Sequence, residues 1–291
     1  MKKLAFLIMF SIFILLFSGC EANSEDCQIA ATTLPVYTFT ADLCAGTDLK
    51  VCQVITQNVS CLHDYTLQSS QMRIIETAKT IVISGAGLED FLEDTLSHKH
   101  TIVDASANIE LLCAEEEHNH THGHKHDTDP HIWLSPQNAK IMASNICTGL
   151  TAQYPQYANT FSDNLTSLTA KLDALQVYGT QTLSQLSCRE LITFHDGFSY
   201  FADAFDLTVL KAVEEEAGSE ASAAELKEII TLVEDHALPA IFTETNGSES
   251  AARTICAETG AAYLSLDMAM SEGNYFEVMY RNIDTVKEAL E

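Results

Sequence analysis

Three histidines in this chain stand where an imidazole could do metal chemistry. His63 lies in CLHDYTLQSS, His131 in DPHIWLSP and His195 in LITFHDGFSY. His63 comes just past the strand pattern ending near Ile55, His131 opens the next helical segment and His195 directly follows an apolar strand, so each stands at a strand-to-helix turn. In open α/β sheets, ligands bind at the carboxyl ends of strands. Neutral imidazole is a borderline donor that suits zinc, and three of them from separate elements can hold one ion. A single turn histidine is ordinarily structural; the shared position of these three is what singles them out. A second group is denser. Residues 118–126 read HNHTHGHKH, placing His118, His120, His122, His124 and His126 between Glu115–Glu117 and the acids Asp127 and Asp129. Taken alone, this run is compatible with an active metal site, a loose collector of ions or a solvated polar loop.

The elements that must position these residues follow from apolar patterning. Strand patterns fall at Gln28–Leu34, Leu49–Ile55, Thr80–Ser84 and Thr101–Asp104, with helical patterns around Thr38–Cys44, Ser69–Ala78 and Leu88–Leu96. The same alternation returns later. Strands are expected at Glu190–Phe194, Thr208–Val213, Ala240–Thr243 and Tyr263–Leu266, and helices near Ser199–Phe205, Ser222–Asp235, Ser248–Thr259 and Tyr275–Leu290. Strands alternating with helices predict parallel sheets covered by helices, here in two α/β lobes. Between them Phe161, Leu165, Leu168, Leu172 and Leu175 recur at helical spacing after Pro155, roughly extended by Thr182 and Leu186. This one apolar stripe predicts a connecting helix over 157–186, roughly 45 Å long at ~1.5 Å per residue. Gly179 weakens that helix without necessarily ending it. The expected organisation is an N-terminal lobe over 28–156, the helix, and a C-terminal lobe over 187–291.

The N-terminus bears on compartment. Lys2 and Lys3 precede an apolar run from Leu4 to Phe17, then Ser18, Gly19 and Cys20. A basic start, an apolar stretch too short for a comfortable span and small residues at its end make residues 1–19 a secretory signal. The block LFSGC resembles a bacterial lipoprotein signal, which implies lipidation of Cys20 and a polar tether over 20–27. The chain is therefore expected outside the cytoplasm, lipid-anchored to the bacterial membrane.

Over 291 residues, 15 basic and 41 acidic side chains give a formal charge of −26, which becomes −28 once Lys2 and Lys3 leave with the signal. Phosphate neutralisation needs clustered Lys and Arg, so this balance excludes a nucleic-acid partner. It serves solubility, or concentrates cations near the surface within a Debye length of ~8 Å. Of nine cysteines, eight remain after Cys20: 27, 44, 52, 61, 113, 147, 188 and 256. They can pair in any of 105 ways or stay as buried thiols, and none forms the CxxC of a thiolate zinc ribbon.

Longer blocks carry a family resemblance. SGAGLEDFLEDTL, DPHIWLSPQNAKIMASNI, TFHDGFSYFADAF and FTETNGSESAARTICAETGAAYLSLD, with LHDYTLQSSQM before them, occur in order from about Ala30 to Leu290. In this order they resemble the zinc-specific ABC-transporter solute-binding proteins of the metal-binding cluster A-I family. The resemblance implies that His63, His131 and His195 ligate Zn²⁺ in a cleft between the lobes. It implies a carboxylate as fourth ligand, at a position matched by Asp267 in LSLDMAM; water or another carboxylate takes that place in some members. Manganese-specific relatives carry a carboxylate where His195 stands, and three imidazoles favour zinc over that harder ion. Asp64, Asp129 and Asp196 are candidates either to orient imidazole N–H groups or to cap helices. The zinc members often carry a His- and acid-rich loop before the DPH turn, which implies that residues 115–128 form an auxiliary, weaker collector.

The implied function is capture of Zn²⁺ by a monomer and its delivery to an ABC permease and ATPase, without catalysis. Manganese or iron binding and a surface adhesin or zinc buffer are alternatives on the same site. A zinc hydrolase would also use three histidines and a water. It lacks an HExxH helix here, and Glu244 in FTETNGS would be its candidate base.

Overall fold

The computed structural model describes residues 27–57, 59, 62, 65–92, 95, 100–112, 128–214, 221–245, 249–270 and 272–291. His63, Asp64, the five histidines of 118–126, and Cys20 with the preceding leader lie outside them. Eight strands form two four-stranded sheets. β1 (Ile29–Ala31), β2 (Val51–Gln53), β3 (Thr80–Ile83) and β4 (Thr101–Asp104) take the order β2-β1-β3-β4. β5 (Glu190–His195), β6 (Thr208–Glu214), β7 (Ala240–Glu244) and β8 (Ala262–Leu266) repeat it as β6-β5-β7-β8. Every pairing is parallel.

The inner strands β1, β3, β5 and β7 are buried almost throughout, as largely apolar runs covered on both faces must be, whereas edge strand β8 is half-exposed. In each sheet the chain first winds to one side of its first strand and then to the other. That reversal opens a crevice between β1 and β3, and between β5 and β7, at the strands' carboxyl ends.

The expected α/β alternation is present, with local differences in where elements begin and end. The first strand stops at Ala31 rather than running to Leu34. Pro35 at the start of helix α1 (Leu34–Cys44), after an extended Thr33, turns this segment into a helix. The segment 88–96, expected to be helical, has a short 3₁₀ turn at Asp90–Leu92 among its described residues. The turn is organised around Glu89, whose carboxylate accepts from Thr32 Oγ1 at 2.6 Å and from the backbone N–H groups of Ser84 (2.7 Å) and Gly85 (3.0 Å). It thereby ties together the ends of β1 and β3.

Burial pushes the Glu89 carboxyl up to about 7, against the opposing pull of its three donors. The folded state therefore holds a proton that the unfolded chain loses near the ordinary value of 4.5. Stability from this group is fully present below that value and falls as pH rises towards 7, by on the order of 3 kcal/mol. Denaturant unfolding at pH 5 and pH 7.5 should show that loss shrinking in Glu89→Gln relative to wild type; an identical slope in both proteins would refute it.

Further helices are α2 (Ser69–Thr77), α3 (Pro136–Gln153), α4 (Ala158–Thr182), α5 (Ser199–Ala204), α6 (Ala223–Asp235), α7 (Ser250–Thr259) and α8 (Tyr275–Leu290). Ser135 caps α3 ahead of Pro136, and Ser222 with Glu225 forms a reciprocal capping box on α6. The connecting helix is α4, shorter than the expected 157–186: it follows a 3₁₀ turn at Pro155–Tyr157 and ends at Thr182 with Leu183 as its cap, so Leu186 lies beyond it. Its stripe of Phe161, Leu168, Leu172 and Leu175 is buried. Asn164 donates to the carbonyls of Leu43 and Ala45, both at 2.9 Å, and Gln176 donates to that of Ala204 at 2.9 Å. One end of α4 thus binds the first half of the chain and the other end the second. Gly179 marks a close approach: a Cβ there would lie 2.2 Å from Cε1 of buried Phe205. The ring occupies the space that any larger residue would need.

One apolar core runs through both halves, joining Phe39 and Leu43 of α1 to Tyr275, Met279 and Ile283 of α8. A second, smaller core of Ile192, Phe194, Ile229, Val233, Ile241 and Ile255 lies between the second sheet and helices α6 and α7. Cys27 and Cys52 form a disulfide across the β1–β2 edge, while Cys44, Cys147, Cys188 and Cys256 are free thiols. Among the described residues no helix is long and apolar enough to cross a membrane.

Candidate metal centre

His195 is the last residue of β5 and Glu244 the last of β7, the two strands that flank the crevice of the second sheet. His131 arrives from the other half of the chain, at the turn that opens the 3₁₀ segment Ile132–Leu134 before α3. Both histidines are buried, at 2% and 3% exposure. Their Nε2 atoms face each other at 3.4 Å, with the rings nearly perpendicular at 83°.

The far side of each ring meets a carboxylate. His131 Nδ1 lies 2.7 Å from Asp129 Oδ1, which also accepts the His131 backbone N–H at 2.9 Å. His195 Nδ1 lies 3.4 Å from Glu244 Oε1. A carboxylate beside Nδ1 favours the tautomer with the proton on that nitrogen, which leaves the lone pair on Nε2. The two lone pairs therefore converge. Two imidazole nitrogens on one tetrahedral zinc, each ~2.0–2.1 Å from the ion, stand ~3.4 Å apart. That is the separation here, and without a shared cation or proton such lone pairs repel.

Asp129 is itself held in place. Its N–H donates to Leu112 O at 3.0 Å, its carbonyl accepts from Tyr200 Oη at 3.1 Å, and Tyr200 Oη in turn accepts from Leu112 N at 2.9 Å. Asp129 Oδ2 is buried and has no hydrogen-bond partner among the described residues. The segment after His131 is clamped by the C-terminal half. Trp133 Nε1 donates to Met268 O at 2.8 Å, and Tyr275 Oη donates to Trp133 O at 2.7 Å. Gly197 completes the packing. A Cβ there would stand 2.6 Å from Met268 Cε, 2.9 Å from His131 Nδ1 and 2.9 Å from His195 Cδ2. Only a residue without a side chain lets these three groups meet.

Of the residues singled out from sequence, the structure thus brings His131 and His195 together. Asp267 stands at the end of β8, one residue before Met268. Its carboxylate is bonded to Arg281 at 2.8 Å and to the N–H of Ala269 at 2.8 Å. Among the described residues no group of three or more His, Cys, Asp or Glu side chains is placed so that all could hold one metal ion. Asp129, one of three candidate orienting acids, meets its histidine; Asp196 follows His195 in the turn.

From sequence Glu244 stood out only as the candidate base of a hydrolase; its place behind the ring of His195 was not legible. The contacts of Gly197, Trp133 and Met268 carried no local signal, because they join segments far apart in the chain.

Residues 29–289 match the family model described as zinc-uptake complex component A, periplasmic (ZnuA). The zinc-binding lipoprotein AdcA of Streptococcus pneumoniae is 29% identical over 99% of this chain and 61% of its own length. The chain thus spans about three fifths of the length of that relative. A crystal structure of ZnuA superposes with a TM-score of 0.79 at 26% identity, covering 91% of this chain and 99% of that one. The zinc-bound ZnuA-like domain of Streptococcus pneumoniae AdcA gives a TM-score of 0.76 at 28% identity, with coverage of 91% and 99%. With two parallel-sheet lobes, and a family match over nearly all of the described chain, the chain belongs to the ZnuA family.

Proposed function

We propose that this chain captures Zn²⁺ outside the cytoplasm and hands it to a membrane permease driven by an ATPase of the ABC type. The observation that carries this reading is the pair of buried Nε2 atoms at 3.4 Å, each ring backed by a carboxylate. Such a pair offers two sides of a tetrahedral site to a borderline cation. His63 is the third imidazole of the proposed site. Asp267 is the proposed fourth ligand, and to join it would exchange its bond to Arg281 for one to the ion; water fills the place otherwise.

Membership of the ZnuA family and the zinc-binding name of the AdcA relative support the choice of metal. The position of Glu244 supports binding rather than hydrolysis. It lies on the Nδ1 side of His195, away from the nitrogen that would hold an ion, so it is poorly placed to deprotonate a water bound there.

In this reading residues 1–19 are a leader, Cys20 carries the lipid and 20–27 form the tether. The disulfide at Cys27 pins the point where the tether enters the fold. Residues 115–128 form the auxiliary histidine loop, a weaker collector of the same ion.

The test is a calorimetric zinc titration at pH 7.5 of the chain from Glu21, beside the same chain lacking 115–126. One tight site survives the deletion while weaker sites disappear. No tight site in the deleted protein would make the loop the receptor and end the cleft assignment.

A further inference from the structure

The two candidate ligands are held differently. His131 is fixed by a neighbour two residues away in sequence, at a full hydrogen-bond distance of 2.7 Å. His195 faces a carboxylate from another strand at 3.4 Å, beyond ordinary hydrogen-bond range. Sheet register puts that carboxylate there. Thr193 of β5 is level with Phe242 of β7. Two residues further along parallel strands, His195 and Glu244 are again level, and both side chains return to the same face. Glu244 is only 7% exposed, and burying a carboxylate there carries a desolvation cost that an apolar residue would not.

We infer that Glu244 is the positioning residue of His195: its carboxylate accepts a hydrogen bond from Nδ1–H and closes on it when a divalent cation occupies Nε2. The inference rests on the metal-site reading above. The physical link is polarisation. An ion on Nε2 draws electron density from the ring and strengthens Nδ1–H as a donor, while the carboxylate makes Nε2 a better ligand and fixes the ring plane. Residues in this position typically change metal affinity by about 10–100-fold.

The experiment uses cobalt(II) as a spectroscopic probe and zinc competition for affinity, on wild type, Glu244→Gln, Glu244→Asp, His195→Ala and the buried neighbour Thr243→Val. Thr243 bonds to Ser265, 3.0 Å away on β8, so its substitution reports a purely structural disturbance of β7. Glutamine, whose amide can present the wrong group to Nδ1, should weaken zinc binding about 10–100-fold and shift the cobalt visible bands. Aspartate should keep the wild-type bands with a smaller loss, and Thr243→Val should lower the melting temperature without moving them.

Wild-type affinity and bands in Glu244→Gln would overturn the inference, as would changes no greater than those in Thr243→Val. If Glu244→Gln does not fold, Glu244→Asp decides: unchanged zinc affinity overturns the inference, and a partial loss with intact bands upholds it. Unaltered cobalt binding in His195→Ala would sink the metal centre itself, an outcome distinct from failure at Glu244 alone.

Discussion

Alanine at either His131 or His195 lowers zinc affinity by on the order of 10³-fold, equivalent to about 4 kcal/mol. A tetrahedral ion bound by both Nε2 atoms needs them where they already are, 3.4 Å apart, so either substitution removes half of a preorganised pair. Water can fill the vacant position but brings neither the fixed orientation nor the carboxylate behind the ring. The effect on folding should be smaller. His131→Ala leaves Asp129 Oδ1 with the backbone N–H of residue 131, so the lost stability is that of one buried side-chain bond, about 1–3 kcal/mol. Zinc competition and thermal unfolding of the metal-free proteins separate the two. Equal zinc affinity in wild type and both variants would remove the site from this crevice. Protons compete with zinc for neutral imidazole, so wild-type affinity should also weaken on acidification.

Gly197→Ala weakens zinc binding about 10–100-fold although it removes no ligand, a loss comparable to that for a residue that orients one. The added methyl group would meet three atoms below 3.0 Å. Met268 Cε is the end of a flexible side chain and can turn away. His131 Nδ1 cannot, because its ring is held 2.7 Å from Asp129, and the ring of His195 closes the third side. Relief must therefore come from a shift of a ring or of the Gly197 backbone, and either disturbs the 3.4 Å pair. Overpacking of this kind costs about 1–3 kcal/mol of stability, so the protein should still fold. The expected signature is a modest drop in melting temperature with retained far-ultraviolet dichroism and a clear loss of zinc affinity. Full zinc affinity in this variant would show that the packing around Gly197 has no bearing on the site.

Much of the fold was open to local reading. The parallel sheets follow from apolar runs alternating with helical patterns, and α4 follows from a stripe at helical spacing, because both periodicities repeat over a few residues. The two histidines that meet were also visible, since a strand-to-helix turn in an open sheet is a local feature with a known relation to ligand sites. Local reading misplaced the end of β1, where Pro35 begins a helix within an apolar run, and gave 88–96 a helix where Glu89 gathers a tight turn instead.

What the chain determined by itself is therefore its elements, their parallel arrangement and which turns carry imidazoles. The tertiary structure decided the rest: that His131 faces His195 at 3.4 Å, that Glu244 stands behind one ring, that Asp267 is paired with Arg281, and that Gly197 must be bare. The division has a physical cause. Secondary structure is set by spacing along the backbone. A metal-sized gap between two nitrogens is set by sheet register and by contacts such as Trp133 to Met268, which join residues more than a hundred positions apart.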